Sequence, residues 1–122
     1  MPKKNPAVEK LADIVVHGML EKKAHNVVKI DLRNLTSSVT DIMIICHGES
    51  DRQVTAIAES VIHEVKKQTG ENPFSREGFT VGEWVLVDYV NVVVHVFKSD
   101  MRSFYALEDL WADGDIQEIT QD

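Results

Sequence analysis

The chain has 122 residues, with 20 acids against 13 bases for a formal net charge of −7, and it is 43% apolar and 27% charged. That balance suits one folded domain and argues against a disordered tail or a fibre, and the acidic excess opposes broad gripping of a phosphate backbone. No apolar run reaches the ~18 residues of a membrane span, and the lone cysteine and the polar opening Met1-Pro2-Lys3-Lys4-Asn5-Pro6 fit a reducing, cytoplasmic setting.

The charge is unevenly spread. Residues 1–24 carry +2, residues 25–98 carry −3 and residues 99–122 carry −6. The sequence therefore reads as a single α/β domain over residues 1–112 followed by an acidic, frayed tail over 113–122.

Pro6 suits a helix first turn, and Val8, Leu11, Ala12, Val15 and Met19 recur at spacings of three and four, which predicts an amphipathic helix ending near Lys23. Val28, Ile30 and Leu32 alternate with Lys29, Asp31 and Arg33, the period of a strand with one wet face, over about 26–32. Asp41 to Cys46 is almost unbroken apolar sequence and predicts a central strand buried on both faces. Ser50 and Gln53 have the form of a capping box, Val54, Ile57, Ala58, Val61, Ile62 and Val65 continue a helical stripe, and Gly70 supplies the stop. Residues 71–83, with Pro73, Gly78 and Gly82, show neither period and read as a long loop available for function. Trp84–Asp88 and Val92–Phe97 predict a hairpin across Tyr89-Val90-Asn91, and Phe104, Leu107, Leu110 and Trp111 mark a short last helix. The order α-β-β-α-β-β-α implies a mixed β-sheet flanked by helices.

Motifs for chemistry are sparse. The five histidines form no His-Glu-x-x-His pattern, one cysteine cannot build a Cys-rich zinc site, and Cys46 reads as a buried soft hydrophobe. No metal and no cofactor is expected. The turn Gly48-Glu49-Ser50-Asp51 lies between strand and helix, where free N–H groups can hold an anion, but it contains neither a Gly-Lys-Ser/Thr phosphate loop nor a Gly-x-Gly-x-x-Gly fingerprint. Asp31, Asp41 and Asp88 could cluster at strand ends, although turn and cap roles suit each. These features leave a nucleotide-binding or nucleotidyltransferase-like enzyme as the alternative function. His95 reads as a hydrogen-bonded structural histidine. Trp84, Tyr89, Arg102, Tyr105 and Trp111 are of the types that dominate protein–protein hot spots, and Tyr105 and Glu108 share a helix face.

The run Thr40-Asp41-Ile42-Met43-Ile44-Ile45, followed by Gly48-x-Ser50-x-Arg52-Gln53-Val54-x-Ala56-Ile57-Ala58, resembles the ribosomal silencing factor family, also called RsfS or Iojap-related. Glu77-Gly78, Gly82-x-Trp84-Val85-Leu86-Val87-Asp88, Val92-Val93-Val94-His95-Val96 and Arg102-x-Phe104-Tyr105-x-Leu107-Glu108-x-Leu110-Trp111 match its later blocks in order, so the resemblance spans about residues 11–111. Ile42 stands where the family commonly has an aromatic, and Val90-Asn91 replaces the usual Gly-Asp of the hairpin turn, which leaves the turn type open because glycine would permit positive φ. The resemblance implies a mixed-sheet α/β domain, similar to a nucleotidyltransferase fold without catalytic carboxylates. It implies a non-enzymatic protein that binds the large ribosomal subunit through its fourteenth ribosomal protein, blocks subunit joining by occupancy, and can form a homodimer when free. Carried over by position, Trp84, Asp88 and Tyr89 of the hairpin, with Arg102, Tyr105 and Glu108 of the last helix, are the expected partner contacts.

Overall fold

The computed structural model describes residues 6–33, 40–100 and 114–119. In chain order these form α1 (Pro6–Glu21), β1 (His25–Asp31), β2 (Ile42–Gly48), α2 (Asp51–Thr69), β3 (Ser75–Glu77), β4 (Trp84–Asp88), β5 (Val92–Lys98) and β6 (Asp115–Glu118). The strands make one mixed sheet in the order β3-β4-β5-β2-β1-β6, in which β2 and β5 run parallel and every other pair is antiparallel. The parallel pair occupies the centre, and both strands are buried along almost their whole length, which is why their sequences are nearly unbroken apolar runs.

Two cores follow from the two-residue strand period. One face of the sheet (Ile42, Ile44, Cys46, Val85, Val87, Val92, Val94, Val96) packs against the apolar stripes of α1 and α2. The other face carries Val28, Ile30, Leu32, Met43, Ile45 and Phe97, with Trp84 packed against them. Cys46 is fully buried in the first core, as its place in an apolar strand suggested.

Both ends of α2 form where the sequence marks them. Ser50 is extended (φ −140°) and its hydroxyl accepts from Gln53 N at 3.1 Å, while Gly70 takes the left-handed conformation (φ 79°) and donates its N–H to Lys66 O. The reciprocal half of the capping box is displaced by one residue. Gln53 Oε1 accepts from Glu49 N at 2.7 Å, and its amide nitrogen reaches Lys22 O and Lys23 O, tying the end of α1 to the start of α2. At the far edge Glu9 of α1 takes hydrogen bonds from Lys29 and Arg33, and Arg33 also bonds Asp31. Arg33, and then Lys29, hold the Glu9 carboxyl below the ordinary carboxylate pKa.

Three expectations need correction or fall outside what is described. Residues 71–83 are not one long loop: Ser75–Glu77 is an edge strand, antiparallel to β4. The acidic terminus is not frayed throughout, because Asp115–Glu118 pairs along β1 from Val28↔Glu118 to Asp31↔Asp115. In both segments the backbone ladder supplies the order while the side chains stay mostly in water. The last helix expected over residues 99–112 lies almost wholly outside the described residues.

The β4–β5 hairpin closes through Tyr89 N donating to Val92 O, and Asn91 N donating to Tyr89 O folds a γ-turn around Val90. Val90 has φ 74°, a conformation that a β-branched residue adopts only under strain and that glycine takes freely. Thr40 Oγ1 donates to Val90 O at 2.8 Å and Asp88 Oδ1 accepts from Val90 N at 2.7 Å, so the turn is over-determined by its neighbours. Val90→Gly should raise stability by about 1 kcal/mol, the relief of left-handed strain exceeding the added unfolded-state entropy of glycine. A thermal melt that drops would show that the Val90 side chain, 55% exposed, contributes packing that outweighs the strain.

Candidate functional site

Strand β4 alternates Trp84, Leu86 and Asp88, each half-buried, with buried Val85 and Val87. The first set points to the sheet face away from α1 and α2, and the second set belongs to the helix-covered core. On the outer face Trp84 is opposite Phe97, Leu86 opposite His95 and Asp88 opposite Val93. The Trp84 and Phe97 rings stack at 5.2 Å and 27°, and His95 completes a triangle at 5.8 Å from Trp84 and 6.1 Å from Phe97. The indole N–H of Trp84 donates to His95 Nδ1 at 3.0 Å. Register continues this row across the sheet, because Phe97 is opposite His47 and His47 is opposite His25, whose rings stack at 5.5 Å.

Burial sets the charge state of this cluster. His95 is 7% exposed, and desolvation pulls its pKa down to about 4 against the smaller, opposing influence of Asp88. The imidazole is therefore neutral near pH 7, and its Nδ1 lone pair is available to accept from Trp84. Its structural, hydrogen-bonded reading holds, but the partner it bonds is the foremost expected contact residue.

The structure divides the expected contact group. Trp84 and Asp88 share the outer face of β4, with Asp88 also fixing the hairpin turn through Val90 N. Tyr89 does not join them: it is 7% exposed and packs in the helix-side core, where burial pushes its phenol pKa up to about 12. The parity of Val85, Val87 and Tyr89 carried that signal, since all three fall on one side of a two-residue repeat. Arg102, Tyr105 and Glu108 lie outside the described residues. Sequence reasoning left out His95, which the hairpin register brings diagonally across from Trp84.

The geometry also separates the parts that a nucleotidyl-transfer site would need. Asp31, Asp41 and Asp88 all sit at the end of the sheet where β2 starts, with Asp31 opposite Ile42 and Asp88 opposite Val93. The Gly48–Asp51 turn follows the other end of β2, seven residues or roughly 20 Å away. A phosphate held at the turn would lie beyond the reach of a cation held by these carboxylates. Asp31 is moreover engaged by Arg33, and Asp88 by the hairpin turn. No helix among the described residues is long and apolar enough to cross a membrane.

Comparison with known proteins converges on one family. A family model described as "Ribosomal silencing factor during starvation" (RsfS) matches residues 5–122. The ribosomal silencing factor RsfS of Bacillus subtilis is 44% identical over 102 residues, covering 81% of this chain and 82% of that protein. The protein of the same name from Halalkalibacterium halodurans is 40% identical over 114 residues, covering 91% and 93%. A crystal structure of a Chromobacterium violaceum protein superposes with a TM-score of 0.81 at 32% identity, over 93% of each chain. With the family matched along nearly its whole length and the same architecture found in a solved relative, the chain belongs to the ribosomal silencing factor (RsfS) family.

Proposed function

We propose that this protein represses translation in the cytoplasm by binding the large ribosomal subunit through its fourteenth ribosomal protein, so that occupancy blocks the docking of the small subunit. Family membership supports a ribosome-binding regulator rather than an enzyme. One observation in the fold carries the choice of contact: Trp84 is half-buried, not sequestered, and is held against Phe97 and His95 on the sheet face opposite the described helices. A large aromatic fixed on a rigid strand offers much contact area and loses little rotamer entropy on docking.

In this reading Trp84 and Asp88 form the described part of the contact, with Arg102, Tyr105 and Glu108 as proposed additions. Tyr89 acts from behind, shaping the turn by packing in the core. The sheet serves as a nucleotidyltransferase-like scaffold used for binding, and neither cofactor nor metal enters the action. The acidic surface favours encounter with a basic ribosomal protein, and a homodimer can hold the free factor.

Trp84→Ala should weaken binding to purified large subunits by more than ~2 kcal/mol, as truncation of a central hot spot does, while the domain, though destabilised by the lost packing on Phe97, stays folded at the assay temperature. Co-sedimentation reads the first quantity, and a light-scattering assay of subunit joining should show the variant failing to inhibit. A folded variant that binds and inhibits like wild type would remove Trp84 from the contact.

A further inference from the structure

The polar atom of Trp84 is turned inward. Its indole N–H, the side chain's one donor, is spent on His95 Nδ1 at 3.0 Å, and the ring lies along Phe97. We propose that His95 is the positioning residue of the contact: it fixes the indole in one orientation, so that the partner meets a preset aromatic surface and need not supply an acceptor. The proposal rests on the reading of Trp84 as a partner contact and adds the residue through which that contact is held.

Two observations support an orienting role over simple filling of the sheet. First, the histidine is 7% exposed, so its desolvation is a cost that a leucine in the same place would not bear. Second, the cluster is a closed triangle of rings, with the His95 and Phe97 planes nearly parallel at 7° and Trp84 inclined to them by 34° and 27°. Packing against Phe97 alone permits an indole to flip end over end, and the hydrogen bond selects one of the two faces. An unrestrained half-buried tryptophan would turn its N–H towards water and would have to be re-ordered on binding.

The nitrogen involved predicts which substitution rescues. Asparagine places its side-chain oxygen close to the position of Nδ1 and can accept from the indole; leucine fills similar volume and cannot. His95→Leu should weaken binding to purified large subunits about tenfold, whereas His95→Asn should stay within about threefold of wild type, the size expected for one hydrogen bond. Hydrogen exchange of the Trp84 indole N–H gives a second readout, with its resonance assigned by its loss in Trp84→Phe. Protection should persist in His95→Asn and vanish in His95→Leu, and adding His95→Leu to Trp84→Phe should cause no further loss of binding. Equal binding by the leucine variant and wild type, while Trp84→Ala binds weakly, would overturn the positioning role and leave the contact standing. Equal losses in the asparagine and leucine variants would overturn it too, by showing that the hydrogen bond is not what matters. If Trp84→Ala itself binds normally, the contact reading fails and this assignment fails with it.

Discussion

Gly78→Ala should be among the most damaging single substitutions in the chain, costing more than about 4 kcal/mol, a large fraction of the stability of a domain this size. Gly78 has φ 88°, and a Cβ placed on it would lie 2.1 Å from the carbonyl oxygen of Trp84 and 3.2 Å from Val85 Cα. Both obstacles are backbone of β4, which is locked between β3 and β5 and cannot yield as a flexible side chain would. Gly70 is the internal control, since it has φ 79° and nothing within 4 Å of an added Cβ. Gly70→Ala should therefore cost only the left-handed penalty of roughly 1–2 kcal/mol. Urea unfolding of the two variants separates backbone conformation from close approach. If they unfold at similar denaturant concentrations, the turn after β3 does not press on β4 as described.

This turn shows where the sequence was readable and where it was not. Helix α2 was legible at both ends because Ser50 and Gly70 act locally, through bonds to their own helix. The central strands β2 and β5 were legible because burial on two faces leaves an apolar run. The edge strands β3 and β6 carried no such mark. Ser75-Arg76-Glu77 and Asp115-Ile116-Gln117-Glu118 are ordered by one backbone ladder each, so neither face selects for apolar side chains, and the residues resemble loop. The charges that made residues 113–122 read as a solvated tail are compatible with a wet edge strand. Removing them would therefore strip β1 of its outer partner as well as removing negative charge. Charge-reversing substitutions at Asp115 and Glu118 isolate the electrostatic contribution better than a deletion does.

The candidate site was partly legible for a related reason. Trp84 and Asp88 could be placed together because they are four apart on a strand of alternating burial. Tyr89 was assigned to the contact by its place beside Asp88 in a family block, although a one-residue step along a strand changes the face. His95, which alternates with Val94 and Val96 and so points to the opposite face from both, was set aside as a hydrogen-bonded structural histidine. Its hydrogen bond to Trp84 appears only once the hairpin register pairs it with Leu86, two residues from Trp84 on the same face, and register depends on the strained turn at Val90.

The same histidine should give the fold a pH dependence between 6.5 and about 4. His95 titrates near 4 when folded, against an ordinary value of 6.5, because burial disfavours its charged form more than Asp88 favours it. Between those two values the unfolded chain holds a proton that the folded chain lacks, so stability falls as the pH is lowered through the window. Above 6.5 both states are neutral at this site and the effect is absent; across the full window it amounts to about 3 kcal/mol. Glu9 acts in the same direction, since its carboxyl is held below the ordinary value of 4.5 and its bonds to Arg33 and Lys29 weaken on protonation, but its loss begins at the acid end of the range. His95→Leu removes the first contribution and keeps the second. The stability difference between wild type and His95→Leu, measured by urea unfolding at intervals between pH 6.5 and 4, should therefore shift steadily in the variant's favour as the pH falls. Parallel curves would mean that His95 is solvated enough to titrate normally. A hydrogen bond from Trp84 that survived protonation of its acceptor would be excluded on chemical grounds, so the same titration, followed through the Trp84 indole resonance, should show the N–H released as His95 takes up its proton.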